Sequence, residues 1–171
     1  MLKLLGSLLL MVGAAGLGFG AAAQLQHRVT GLRALVGALE QMERELEFRL
    51  TPMPELMARL AREVQPPARY LFSYCREHLD ELGARRFGQL WRNALEENAD
   101  LALTAQERQI MDGLGDVLGR YDGEGQREAL RSAVSQLEAC LRRAEGDRDR
   151  LGRVYATLGV GAGAMLVILL L

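Results

Sequence analysis

With 171 residues, 25% of them charged and 5% aromatic, the chain has room for one compact domain with short appendages. Its 21 basic and 22 acidic side chains leave a formal charge of −1, and the mixture shows no basic stripe or patch of the kind a nucleic-acid binder needs. The even average hides a segregation: apart from Lys3, every charged residue lies within 24–155, which holds 20 basic and 22 acidic side chains.

In chain order, the first element is an uncharged run over residues 4–23, rich in Leu, Gly and Ala. About 20 apolar residues in a helix cross the hydrocarbon core of a bilayer, so this run predicts a transmembrane helix within residues 1–23. Gly16 and Gly20 stand four apart, a small-residue spacing that lets helices approach closely in lipid. A second reading exists. Lys3, the apolar run and Ala21-Ala22-Ala23 before Gln24 also resemble a secretory signal with a small-residue cleavage site. The length of the run and the glycines scattered through it favour an uncleaved anchor.

The middle of the chain shows apolar positions every three or four residues and no alternating stretch, so it reads as helices throughout. Leu32, Leu35, Leu39, Met42 and Leu46 form one stripe, and no proline or loop cluster separates this helix from the apolar run before it. It ends before Thr51-Pro52-Met53-Pro54, where Thr51 is the expected N-cap and Pro52 the first helical residue. A second helix carries Leu56, Leu60 and Val64 and stops at Pro66-Pro67. A third points Tyr70, Leu71, Tyr74, Cys75 and Leu79 inward and ends at Gly83. The fourth holds Phe87, Leu90, Trp91 and Leu95. Thr104 and Glu107 form a capping box, each side chain satisfying the other's exposed backbone N–H. The fifth helix, with Ile110, Leu114, Val117 and Leu118, closes near Gly119. Within it Gly115 costs about 1 kcal/mol relative to alanine, which marks either a close backbone contact with another helix or, equally, a tolerated surface glycine. The sixth starts between Asp122 and Gly125, places Leu130, Val134, Leu137 and Leu141 on one face, and continues through Leu151 and Val154.

The last run, 156–171, is uncharged, with Tyr155 at its edge and the spacing of Gly159 and Gly163 repeating that of Gly16 and Gly20. It predicts a second anchor. Flanking positive charge sets the orientation. Arg28 and Arg33 follow the first run, and Arg142, Arg143, Arg148, Arg150 and Arg153 precede the second. This bias puts residues 24–155 in the cytoplasm as a bundle of about six helices between anchors at 1–23 and 156–171. The fold class is all-α.

Catalytic constellations are missing. His27 and His78 have no partners at ligand spacing, and there is no glycine-rich phosphate loop. His27 reads as a juxtamembrane polar residue and His78 as a helix-surface one. Glu96, Glu97 and Asp100 read as a solvated face. Cys75 and Cys140 belong to no CxxC pair; a disulfide is open on the sequence, and two reduced thiols at half-buried helix positions is the simpler reading. Neither uncharged run contains the buried ionisable residue that would flag intramembrane function. No catalytic, cofactor-binding or metal-binding residues are expected.

The order of these pieces resembles the stage III sporulation protein AB family, nearly from end to end. The likeness is carried by the opening Met1-Leu2-Lys3-Leu4-Leu5-Gly6, the turn Leu50-Thr51-Pro52-Met53-Pro54-Glu55 and the helix Leu90-Trp91-Arg92-Asn93-Ala94-Leu95. It continues in the run from Leu114 to Asp122, in Gln126, and in the ending from Tyr155 through Val160 and Val167 to Leu171. The chain departs from the family pattern at Arg120-Tyr121-Asp122 and in its two cysteines. The resemblance implies a non-enzymatic, membrane-bound platform or scaffold subunit, similar to the F-type platform proteins of type II secretion. It would serve the channel complex linking mother cell and forespore, in the mother-cell membrane around the forespore, with its soluble domain in the cytoplasm. The implied partners are a secretion-type ATPase (stage III sporulation protein AA), other membrane subunits of the complex and the lipid bilayer, with no nucleic acid and no cofactor; a homo-oligomer is compatible. A membrane-tethered helical binding or sensor module without a secretion role is the alternative.

Overall fold

The computed structural model describes residues 2–48, 51–80, 86–118 and 123–170, and for most of 2–18 and 156–170 it describes the helical backbone without the side chains. All regular structure among the described residues is helical: α1 (Leu2–Phe48), α2 (Met53–Glu63), α3 (Ala68–Glu77), α4 (Phe87–Glu97), a 3₁₀ turn (Ala99–Leu101), α5 (Ala105–Leu118) and α6 (Gly123–Leu170). The chain divides into two compact units, Met1–Val29 with Arg142–Leu171, and Thr30–Leu141. Among the described residues no helix is long and apolar enough to cross a membrane. The side chains of the runs read as anchors, including Gly159 and Gly163, fall largely outside those residues; the backbone of both runs is helical.

The core lies in the Thr30–Leu141 unit. Leu32, Leu35, Leu39 and Met42 of α1 are fully buried, as the stripe predicts, while Leu46 one turn on is half-buried. They meet Leu56, Met57 and Leu60 of α2, Leu71 and Phe72 of α3, Leu90, Trp91 and Leu95 of α4, Met111 and Leu114 of α5, and Leu130 and Leu137 of α6 in a closed apolar interior. Complete burial of one such aliphatic side chain is worth about 1.5–3 kcal/mol, so a set of this size outweighs any single polar contact below.

The connections are fixed by backbone polar groups. Asn98 ends α4, is buried, and donates its side-chain amide to the Pro67 carbonyl at 2.9 Å, tying the α4 exit to the α2–α3 link. Gly31 of α1 lies over the same junction: a Cβ there would stand 3.1 Å from the Leu101 carbonyl oxygen and 3.6 Å from Pro67. The capping box forms as expected, with the Thr104 N–H donating to Glu107 at 2.8 Å and the Glu107 N–H donating to Thr104 at 3.4 Å. Glu107 is almost wholly buried, so this reciprocal pair satisfies groups that water does not reach.

Three local expectations change. Thr51 does not cap α2: its hydroxyl donates back to Glu45 of α1 at 3.0 Å, Pro52 is the cap residue, and helical residues begin at Met53. An available carboxylate on the preceding helix outcompetes the local backbone for the hydroxyl. Tyr70 is not inward. It is 52% exposed, and Phe72, two residues on, takes the core position, because α3 starts at Ala68 and its buried face runs Ala68, Leu71, Phe72, Cys75. Finally, α3 stops at Glu77, short of the expected end at Gly83, which lies outside the described residues, as do Gly119 and Asp122.

Candidate functional site

Ionic groups cover the outside of the helical unit. Arg131 of α6 donates to Glu43 at 2.8 Å and to Glu47 at 3.2 Å, bridging two successive turns of α1. The hydrogen bond to Glu43, then the charge of Glu47, push the Arg131 guanidinium above its ordinary value. Arg59 of α2 joins Glu45 at 3.0 Å and Glu55 at 3.3 Å. Arg92 of α4 meets Asp116 of α5 at 2.7 Å. Exposed pairs of this kind contribute little to stability, so their consequence is a surface of fixed, alternating charge.

Among the described residues, a cleft of about 370 Å³ lies between α1 and the α2–α3 link. Its floor is the small-residue row Ala34, Gly37 and Ala38, and Glu63 to Pro66 form the opposite wall. Arg33 and Thr30 line one end, and at the other the Gln41 side-chain amide donates to Glu63. The row recurs every three or four residues, so its periodicity is visible in the sequence; the wall that makes it a cleft is not.

The candidate chemical groups do not converge. Among the described residues no three His, Cys, Asp or Glu side chains are grouped to hold a metal ion. His27 is exposed on α1, whereas His78 is half-buried at the end of α3, where its Nδ1 lies 2.9 Å from the Tyr74 carbonyl and its ring stacks on Tyr74 at 4.1 Å. It is thus a helix-end residue packed on its own helix, a change from the surface placement expected. Glu96, Glu97 and Asp100 are exposed, as read. Of the two readings of Gly115, the close contact holds and the surface glycine does not: a Cβ there would collide with the Trp91 ring.

Cys75 and Cys140 are both free thiols and both buried, deeper than the half-buried positions expected. Burial pushes the Cys75 thiol up to about 12. An unfolded thiol ionises near 9, so the native state keeps Cys75 neutral while the unfolded state loses its proton. Stability is therefore unaffected below that value and falls as pH rises from 9 towards 12. At pH 9 iodoacetamide should label Cys75 in the folded chain only at the rate of unfolding, and rapidly in urea; equal rates in the two conditions would show an accessible thiolate.

Comparison with known proteins resolves the family. The family model described as Stage III sporulation protein AB matches residues 3–171. The Stage III sporulation protein AB of Bacillus subtilis (strain 168) is 30% identical over 172 residues, covering 100% of both chains. A solved structure of Stage III sporulation protein AB superposes with a TM-score of 0.64 at 27% identity, covering 71% of this chain and 96% of the other. A match running through both uncharged ends and the helical unit between them, joined to a shared fold, leaves one assignment: the chain belongs to the stage III sporulation protein AB family.

Proposed function

We propose that the protein is a non-enzymatic platform subunit of the channel complex between mother cell and forespore, anchored at both ends and docking a secretion-type ATPase through its helical unit. The observation that carries this reading is the layout of charge. Residues 4–23 and 156–171 carry none, while residues 30–141 carry 14 basic and 19 acidic side chains, a formal charge of −5. The first run, 20 residues, matches the thickness of a bilayer, and the second, 16 residues, is just long enough to span with Tyr155 at the interface. The flanking arginines favour a cytoplasmic domain. Family membership supports the sporulation role, and the charged exterior of the helical unit offers contact surface.

On this reading the docking face is the exposed charged surface that Glu43, Glu47, Arg59 and Arg131 lay out. In sealed vesicles of known orientation, protease added on the cytoplasmic side should digest residues 24–155 and leave two protected apolar fragments. Protection of the whole domain from that side would instead place it across the membrane, as a cleaved signal requires. The ATPase should co-purify with the intact chain, and charge reversal at Glu43 and Glu47 together should weaken the association. An ATPase association unmoved by charge reversal anywhere on the surface would sink the docking proposal.

A further inference from the structure

The stretch of α6 that leads into the second uncharged run has two unlike sides. Ala144 is buried and Leu151 half-buried on one, while Arg142, Arg143, Arg150 and Arg153 are all exposed on the other. At 3.6 residues per turn these four arginines fall within an arc of about 100°. Glu145, Asp147 and Asp149 fall outside that arc, and Asp149 is occupied by Arg148 at 2.7 Å. Val154, Leu158 and Met165, exposed by 46, 63 and 72%, follow Arg150 within an arc of about 80° that adjoins the arginine arc. Gly161 sits among them with open space above it. From Arg150 onward the described large side chains along this line, Val154, Leu158 and Met165, are apolar and exposed.

Distance along the axis divides the arginines. At 1.5 Å per residue, Arg153 and Arg150 lie about 4.5 and 9 Å before Ala156, whereas Arg142 and Arg143 lie about 20 Å before it. The polar layer on each side of a bilayer is roughly 5–8 Å thick and an arginine stem adds about 6 Å of reach, so the nearer pair can reach it and Arg142 and Arg143 cannot. The Arg153 Nε donates to the Asp149 carbonyl at 2.8 Å, which turns its guanidinium back along the helix towards the level of Arg150 and takes up one of its three nitrogens. Guanidinium groups bind phosphate oxygens bidentately, and they attract an anionic surface more than a zwitterionic one.

We propose that Arg150 and Arg153 bind the phosphate of an anionic phospholipid, with its acyl chains lying along the exposed Val154, Leu158 and Met165 side of α6. The site rests on the membrane-anchor reading above. The apolar continuation selects a lipid over an acidic protein segment, which would match the charge and leave that surface uncovered.

The test uses the full chain reconstituted into phosphatidylcholine vesicles containing a minority of phosphatidylglycerol. Spin-labelled forms of each lipid then report the fraction immobilised on the protein. The chain should hold the anionic lipid with a roughly threefold preference that declines with added salt. R150Q/R153Q should bring that preference close to parity, and R142Q/R143Q should leave it in place. Equal loss in the two double variants would replace the site with diffuse charge, and no loss in the first would overturn it. A chain that floats with the vesicles and shows no preference overturns the headgroup site alone. Failure to float at all overturns the anchor reading, and the site with it.

Discussion

Replacing Trp91 with alanine should cost about 3–5 kcal/mol of stability, the largest loss expected from any single change in the chain. Trp91 is fully buried on α4, with Phe72 of α3 edge-on at 6.0 Å and Phe87 tilted against it at 5.9 Å. Its indole N–H donates to the Met111 carbonyl of α5 at 2.9 Å. Truncation therefore removes a large apolar surface, opens a cavity between three helices, and deletes the one polar link from that ring to α5. Helices packed against each other cannot collapse into such a space without moving their backbones, so the cavity persists. With total stabilities of about 5–15 kcal/mol, the variant should be largely unfolded at modest urea concentrations. Far-ultraviolet circular dichroism during urea titration of the full chain in mild detergent measures the loss. Trp91→Phe, which keeps an aromatic ring and loses the donor, should fall between the two. A Trp91→Ala cost below about 1 kcal/mol would mean that this junction does not hold the bundle.

Much of this was legible in the sequence because it depends on period and local chemistry. The α1 stripe, the capping box at Thr104 and Glu107, and the burial of Phe87, Leu90, Trp91 and Leu95 follow from spacing and local chemistry. The backbone cost of Gly115, in contrast, left a close approach and a surface glycine equally open until the Trp91 ring decided it. What failed depended on how the folded chain surrounds each residue. Thr51 looked like a cap because only its neighbours were visible; Glu45, six residues earlier, supplies a better acceptor once α1 and α2 are folded against each other. Tyr70 faces outward and Phe72 inward because α3 starts at Ala68, and a shift of a residue or two in that start rotates the buried face. The cleft over Gly37 needs the α2–α3 link as its wall, and the two-sided character of α6 at Arg150 and Arg153 needs burial on the opposite face to define it. Periodicity gives each helix a face and leaves open what that face meets.

Gly115→Ala should destabilise by about 1–2 kcal/mol, although alanine is the better helix former by about 1 kcal/mol. The reason is geometric. A Cβ at position 115 would run into the Trp91 ring, whose Cγ would be 2.7 Å away. That ring cannot swing aside, because it is enclosed and its indole N–H is held by the carbonyl of Met111 one turn earlier on the same helix. Facing it across the α4–α5 contact, Gly88 is equally confined, its absent Cβ lying 3.2 Å from the Gly115 carbonyl oxygen. Overpacking of about 1–3 kcal/mol therefore exceeds the gain in helix propensity. Gly113, two residues away on α5, is exposed with open space around it, and Gly113→Ala should stabilise by about 1 kcal/mol through propensity alone. The pair separates a contact from a propensity effect within one helix, with Trp91 fluorescence following urea unfolding in both. The contact also predicts coupling. In Gly115→Ala combined with Trp91→Leu, the new methyl enters space the indole has left, so the two costs should sum to less than their separate values by about 1 kcal/mol or more. Strict additivity, or stabilisation by Gly115→Ala itself, would show that α4 and α5 are not held together at this glycine.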